Sequence, residues 1–381
     1  MIRIVHIITG LGNGGAENML YKLLKHSDTT KYYHEVISLM GERYYGEKLE
    51  ALGVKVHCLH LPREKTHRRM LSSLLKVRTI CRDFDVVDTW LYHADFFGFI
   101  VAKIMLKKTL IWNIRHSNLG EDVNNTRTLR IVRINSYLSR YVDGITYNSF
   151  RARDNHTEVG FLGRQSVVIP NGFELERFKY DPSARRRVRI ELGLKDEKAI
   201  ITVGRWDIQK DYYTLMAALY KLRKKYTNFK MIMVGTNLDW SNQELVELIK
   251  KYDLEENILL LGRRDDVPDL LSAADIYVSS SLGESFSNAI GEAMACELPC
   301  VVTDVGDSKL IVGETGIVVE AQDCEALATG LLSGMSRKDD RCSSARKRVV
   351  SNYDIISVAQ RFRELWRLQE KRCNSQVRFI E

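Results

Sequence analysis

Two glutamates eight positions apart, Glu284 and Glu292, stand out in the run Ser279-Ser-Ser-Leu-Gly-Glu-Ser-Phe-Ser-Asn-Ala-Ile-Gly-Glu-Ala-Met-Ala-Cys-Glu-Leu-Pro299. A carboxylate accepts hydrogen bonds from paired hydroxyls, so two of them suit a sugar or a ribose. The spacing puts Glu284 in a Gly/Ser loop and Glu292 on the second turn of a helix for which Ser287 is a candidate N-cap. The free amides at such a helix start can hold a diphosphate. Spacing alone leaves the pair evenly divided between this chemistry and one solvated plus one capping glutamate.

A second run, Gly204-Arg-Trp-Asp-Ile-Gln-Lys210, offers two cations, Arg205 and Lys210, in a loop after a strand. Cations so placed can neutralise a diphosphate as it departs. An ordinary charged surface loop has the same composition. A third run, Gly10-Leu-Gly12-Asn-Gly14-Gly15-Ala-Glu17, lies between a strand and a helix. Its glycines permit positive φ and close approach of backbone to ligand, and the helix start favours an anion. Gly10, Gly12 and Gly15 also match G-x-G-x-x-G, so an NAD(P) oxidoreductase is a rival. That rival needs an acid at the end of the second strand. Glu35 reads as lying near that strand's start and Glu42 beyond the Gly41 turn. A tight structural turn is the third reading of these glycines.

The elements that must position these residues alternate along the whole chain. Strand-like runs are expected at Ile2–Thr9, His34–Leu39, Lys55–Leu61, Val86–Leu91, Leu110–Ile114 and Gly144–Tyr147. A second set is expected at Ala199–Val203, Lys230–Val234, Ile258–Leu261, Ile276–Ser279, Cys300–Thr303 and Ile317–Val319. Helical patterns fill the gaps, among them Met70–Cys81, Arg127–Leu138, Tyr212–Tyr226, Asn242–Tyr252, Asn288–Cys296 and Glu325–Met335. Such alternation predicts α/β architecture with parallel sheets. Two repeats of the plan predict two Rossmann-like domains facing across a cleft, with ligands beyond the C-terminal ends of the strands. The expected bounds are 1–170 for the first domain and 171–353 for the second. A C-terminal helix and polar tail, 354–381, is expected to cross back to the first domain.

Composition narrows the class. The chain has 381 residues, 45% hydrophobic and 28% charged, as in globular proteins with room for two cores. Its seven cysteines are scattered, with neither CxxC nor zinc spacing, which argues against a disulfide framework or structural metal. The N-terminal apolar run is too short for a signal peptide, and Phe96–Leu106 is interrupted by Lys103. A cytoplasmic location is expected. A net charge of +8 suits nucleic acid, an anionic membrane or a phosphorylated substrate and does not choose among them. Aromatic and basic residues do not interleave as in an RNA-binding surface, so no nucleic-acid partner is expected.

Taken together and in this order, the three runs resemble the retaining GT-B glycosyltransferases of family 4. The likeness spans Ile2 to about Trp366 and is strongest in Glu284-Ser-Phe-Ser-Asn-Ala-Ile-Gly-Glu292-Ala-Met-Ala, the family's E-x7-E motif. Ile169-Pro-Asn-Gly172, Leu261-Gly262, Thr89-Trp-Leu-Tyr-His93-Ala-Asp95 and Ile114-Arg-His116-Ser117 fall where the family has similar runs. The resemblance implies that 1–170 is the N-terminal acceptor-binding domain and 171–353 the nucleotide-sugar-binding domain, with Glu292 binding the donor ribose and Glu284 the donor sugar. It places Arg205 and Lys210 on the diphosphate, aided by amides near Phe286, Ser287 and Asn288. Gly12, Gly14 and Gly15 would approach that diphosphate, and backbone near Gly262 and Arg263 would meet the base, with UDP favoured. His116 would sit beside the donor sugar, although taken by itself it reads more readily as a core histidine. Ser285 and Ser287 depart from the Gly and Pro found in many relatives.

The implied mechanism has no enzymic nucleophile and no cofactor. The acceptor hydroxyl attacks on the face the nucleotide leaves, and the leaving phosphate takes its proton. Catalytic roles would then fall to Glu284, His116, Arg205 and Lys210. Asp83-Phe84-Asp85 matches the D-x-D of metal-dependent transferases of another fold, but it precedes a strand, at the wrong end of a sheet, and no metal is expected. The expected partners are a nucleotide sugar and a glycan or polyprenyl-diphosphate-linked glycan acceptor of surface-polysaccharide synthesis. Pro62 to Arg82 carries seven basic residues among Met70, Leu71, Leu74, Leu75 and Ile80. It reads either as a peripheral contact with the inner face of an anionic membrane or as an ordinary core-facing helix. A sugar-nucleotide epimerase of the same fold is the near alternative. A phosphorylase would carry a pyridoxal phosphate lysine, for which there is no signal.

Overall fold

The computed structural model of the chain describes residues 1–41, 44–61, 67–120, 124–337 and 341–377. The first sheet contains β1 (Ile2–Ile8), β2 (Tyr32–Ser38), β3 (Lys55–Cys58), β4 (Val86–Trp90), β5 (Thr109–Ile114), β6 (Gly144–Tyr147) and β7 (Ser166–Val168). The second contains β8 (Lys198–Val203), β9 (Phe229–Val234), β10 (Ile258–Gly262), β11 (Ile276–Ser279), β12 (Cys300–Thr303) and β13 (Ile317–Val319). Their orders are β3-β2-β1-β4-β5-β6-β7 and β10-β9-β8-β11-β12-β13, and the strands pair in parallel. The chain divides into two compact units, Met1–Gly172 joined by the segment from Ile355, and Phe173–Asp354.

Parallel strands covered on both faces should be apolar throughout rather than alternating. β4 and β5 are buried at every position, and in β1 everything from Ile4 is buried. In the second unit Phe173, Tyr277, Ile290 and Met294 pack in one cluster, and Leu215, Leu219, Met231 and Leu331 in another. In each sheet the strand order reverses once, between β1 and β4 and between β8 and β11. Such a reversal leaves a crevice at the strand C-termini, because the connections leave in opposite directions.

Polar residues inside the first unit are linked to one another. His6 on β1 meets His34 of β2 at 3.0 Å and Asp88 of β4 at 3.1 Å. Thr146 donates to Asn113 at 2.6 Å. The half-buried Arg115 donates to the Ile169 carbonyl and the Asn171 side chain and stacks over Trp90. The final helix, Ile355–Val377, covers this face with Phe362 and Trp366.

Several element bounds differ from expectation. β3 stops at Cys58, and the helix from Tyr212 ends at Arg223. The stretch Tyr92–Phe99 is an α-helix continued by π-helical turns over Ile100–Met105. It is apolar on nearly every side, so no 3.6-residue rhythm marks it. The terminal helix starts at Ile355, and a separate helix, Ser343–Tyr353, precedes it. Asp354, extended at φ −60° and ψ 131°, breaks the two apart. Among the described residues no helix is long and apolar enough to cross a membrane.

Candidate active site

The loop after β8 and the loop after β11 meet at the reversal point of the second sheet. Asp207 starts a short 3-10 turn, Ile208–Lys210, by accepting from the Gln209 amide at 3.0 Å. Asp211, in the left-handed region at φ 47°, then caps the following helix through the Thr214 amide. This double turn aims Lys210 at the neighbouring loop. There its ammonium pairs with the Glu284 carboxylate. Ser281 donates to the same carboxylate oxygen at 3.0 Å, and Ser280 donates to the Lys210 carbonyl at 2.8 Å. The Leu282 amide donates to the Gln209 carbonyl at 2.7 Å.

Both members of the ion pair are mostly shielded, Lys210 24% and Glu284 14% exposed. Arg205 differs. It is 66% exposed and donates to Asp207 at 2.8 Å. The Asp207 carboxyl is held below its usual range: burial pushes it up, but the Arg205 hydrogen bond and the Gln209 amide outweigh that. So the two cations singled out in the sequence lie in one loop, but only Lys210 is tied to a site carboxylate.

Glu292 lies half-buried in the helix Asn288–Ala295, as its position in the motif requires. Burial raises the Tyr277 phenol first, and the charges of Glu284 and Glu292 both push it the same way. The two glutamates thus act on one buried ring. Ser287 holds the N-cap position, but its side chain makes no capping hydrogen bond there, contrary to expectation. The Asn288 end of the helix therefore keeps its cap position without a hydroxyl clamp. Phe286 is buried against Phe173 and Tyr353. Gly291 is needed on the same helix, since a Cβ would lie 2.0 Å from the Phe173 ring.

Three adjacent strand ends carry glycines. A Cβ on Gly235, at φ 145°, would fall 1.5 Å from the Gly204 carbonyl oxygen. The Gly235 amide donates to the Gly262 carbonyl at 2.7 Å, and Gly262 takes φ 62°. Arg263 follows, exposed, while Arg264 is engaged by Asp266 and Glu191. Gly306 is the support that sequence reasoning missed. At φ 55°, its Cβ would lie 2.2 Å from the Glu284 carbonyl oxygen. The Asp307 amide donates to the Ser285 carbonyl at 3.2 Å alongside it. The Ser279–Ser281 run was visible in the sequence but carried no sign that Ser280 and Ser281 fasten Lys210 and Glu284.

In the first unit, Gly12, Gly14 and Gly15 lie after β1 at the reversal point of that sheet. None adopts positive φ, which corrects the conformational part of the expectation. Of these only Gly14 is crowded, and by the movable end of a side chain. A Cβ on Gly14 would lie 2.4 Å from the Glu17 carboxylate, and one on Gly12 3.8 Å from it. Glu17, in the first turn of the helix Gly15–Lys25, has its carboxyl raised by burial, partly offset by a backbone hydrogen bond.

The acid a dinucleotide site needs is not at the end of β2, where Ser38, Leu39 and Met40 stand. Glu35 is in mid-strand rather than near the start, and accepts from Tyr33 at 2.7 Å and contacts His57 at 2.6 Å. His116 is half-buried just beyond β5, and its neighbour Ser117 accepts from Asn155 through its carbonyl. Asp83 and Asp85 precede β4, with Asp85 accepting from the Arg3 amide at 2.8 Å.

Comparison with known proteins follows the same division. Residues 13–177 match the family model described as Glycosyltransferase Family 4. Residues 197–336 match the one described as Glycosyl transferases group 1. The UDP-Gal:alpha-D-GlcNAc-diphosphoundecaprenol alpha-1,3-galactosyltransferase of Escherichia coli is 28% identical over 338 residues, 85% of each chain. An N-acetylgalactosamine-N,N'-diacetylbacillosaminyl-diphospho-undecaprenol 4-alpha-N-acetylgalactosaminyltransferase of Campylobacter jejuni is 26% identical over 93% of this chain and 96% of its own. The structure of Anabaena HepE in complex with UDP superposes with a TM-score of 0.84 at 21% identity, covering 96% of this chain and 99% of that one. The two-sheet α/β architecture matches this GT-B fold.

Proposed function

The chain belongs to glycosyltransferase family 4 and is a glycosyltransferase, and we propose on that footing that it is a retaining enzyme using a nucleoside diphosphate sugar, a UDP sugar, as donor. Its acceptor is a hydroxyl of a glycan carried on a lipid diphosphate, in the assembly of a surface polysaccharide. UDP is bound by the Anabaena structure, and lipid-diphosphate acceptors are named for the Escherichia coli and Campylobacter jejuni relatives.

The observation that carries the reading is the Lys210–Glu284 pair at the β8/β11 reversal. A shielded cation is held in place by a carboxylate that can exchange it for hydroxyls. When the donor binds, its diphosphate takes over the Lys210 charge, with Arg205 beside it, and Glu284 turns to the sugar hydroxyls. Glu292 accepts from the ribose hydroxyls. The Phe286, Ser287 and Asn288 amides hold phosphate oxygens, and Gly262 and Arg263 flank the base.

The bond between the anomeric carbon and the diphosphate oxygen breaks as a bond to the acceptor oxygen forms on the same face. The acceptor proton passes to the departing phosphate. No metal ion is required, because Lys210 and Arg205 supply the positive charge. The enzyme works in the cytoplasm, resting on the inner face of the membrane that holds its acceptor.

The experiment is transfer from an α-configured UDP sugar, followed by proton NMR of the product. An α-linked product supports retention. A β-linked product contradicts it.

A further inference from the structure

We propose that the helix Thr126–Leu138 and the turn that follows it form a face that seats the enzyme on an anionic lipid bilayer. This rests on the reading above that the acceptor is lipid-linked, and it names the surface. Surface helices of water-soluble domains present polar residues outward. Here Arg127, Arg130, Ile134, Tyr137 and Tyr141 recur every three or four residues and are all exposed. Tyr137 is 70% exposed, Tyr141 57% and Ile134 45%. The opposite side of the helix is buried through Val132, Asn135 and Ser136.

The charge on this face has one sign. Residues 124–142 contain four arginines, Arg127, Arg130, Arg133 and Arg140, and no acidic residue. All four arginines are exposed, and Arg140 lies over the Tyr137 ring at 5.9 Å. Leu162, 58% exposed, extends the apolar surface, since its amide donates to the Ser139 hydroxyl at 2.8 Å, which ties it to the turn after the helix.

Tyrosine and arginine together suit a bilayer interface: an apolar ring with a polar tip, and a long stem with a cation at lipid phosphate level. A nucleic acid would be served by the arginines alone and gains nothing from Ile134 and Leu162. A second copy of this chain would bring the same positive face against itself. The charge therefore selects an anionic surface, and the apolar tips select lipid. The segment Pro62–Arg82 contributes none of these residues. Its residues 62–66 lie outside the described residues, and of its helix Leu71 and Leu75 are exposed.

The test is flotation of the full chain with phosphatidylcholine vesicles, with and without phosphatidylglycerol, at low and high salt. Wild type should float with the anionic vesicles, less so in high salt, and stay behind with the neutral ones. Two variants, Tyr137→Ser with Tyr141→Ser and Arg130→Glu with Arg133→Glu, should each lower the affinity about tenfold or more. Their substitutions lie on exposed positions, and unchanged melting temperature and unchanged stabilisation by UDP would show the fold and the donor site intact. Wild type that ignores anionic vesicles, binding equal on neutral ones, or both variants binding like wild type overturns the proposal. So does a dimer that the tyrosine variant converts to monomer, since a second copy would then own the face. Failure of UDP to stabilise any of the proteins would count against the donor reading instead.

Discussion

Substituting Gly306 with alanine should separate the shape of the active-site loop from its charges. Gly306 lies at φ 55°, where a residue with a Cβ is strained by roughly 1–2 kcal/mol. Its new methyl would also fall 2.2 Å from the Glu284 carbonyl oxygen and 2.9 Å from that of Ser285. Both are backbone atoms, so no side chain can swing aside. The loop must retreat by roughly 1 Å to restore van der Waals contact. A displacement of that size at the reacting centre costs about 100-fold in rate.

Gly193 provides the control within the same unit. It takes φ 67°, but a Cβ there meets nothing within 4 Å. Gly193→Ala should therefore lower the melting temperature by about 2–8 °C and leave transfer alone. Gly306→Ala should lose stability to at least the same degree and also lose about 100-fold in kcat/KM. The assay is nucleotide release at saturating acceptor, with melting temperature measured alongside. If Gly306→Ala keeps kcat/KM within about threefold of the Gly193→Ala value, the reasoning that this contact positions Glu284 is refuted.

Other outcomes follow from the same geometry. Lys210→Met should lower kcat/KM by about 100- to 1000-fold, by analogy with loss of one charge-stabilising donor. Arg205→Met, at a group 66% exposed and tied to Asp207, should cost less than Lys210→Met; equal losses would mean that exposure does not rank the two cations. The fold should also weaken in mild acid. His156 is depressed to about 4 by burial, opposed by its bond to the Ala152 carbonyl and with the His116 charge adding to the depression, and His34 is driven well below its ordinary value by burial and His6. The folded state thus holds both neutral while the unfolded chain protonates near 6.5, so stability falls as pH drops through 6.5 toward 4. For His156 the loss is about 3 kcal/mol across that window. Urea midpoints from pH 7.5 to 5 should show the decline, and His156→Phe should flatten it; an unchanged slope would remove His156 from the account.

The alternation of strands and helices was readable because buried parallel strands are short apolar runs between turn residues. The E-x7-E run was readable because its spacing fixes a loop residue and a helix residue within one local segment. Glu284 and Lys210 were both found, but their pairing was not, since it joins positions 74 apart through the order β8-β11. Gly306 was missed for the same reason: its constraint comes from a carbonyl more than twenty residues earlier in the chain. The Gly10–Gly15 turn misled on conformation. None of its glycines takes positive φ and only Gly14 is crowded, by the Glu17 carboxylate; a sequence does not tell such crowding from a need for positive φ. The helix Tyr92–Phe99 escaped because burial on nearly every side erases the periodicity that reveals a surface helix.

The most direct measurement is a panel of nucleotide sugars scored by thermal shift and by nucleotide release, with and without EDTA. Ligand binding to the folded state raises its melting temperature by mass action. Stabilisation by one nucleoside diphosphate family, with nucleotide release that EDTA leaves unchanged and that Lys210→Met slows about 100-fold or more, is the predicted result. No shift with any nucleotide sugar, or a shift only with NAD(H) or NADP(H), would contradict the donor site assigned to Lys210, Glu284 and Glu292.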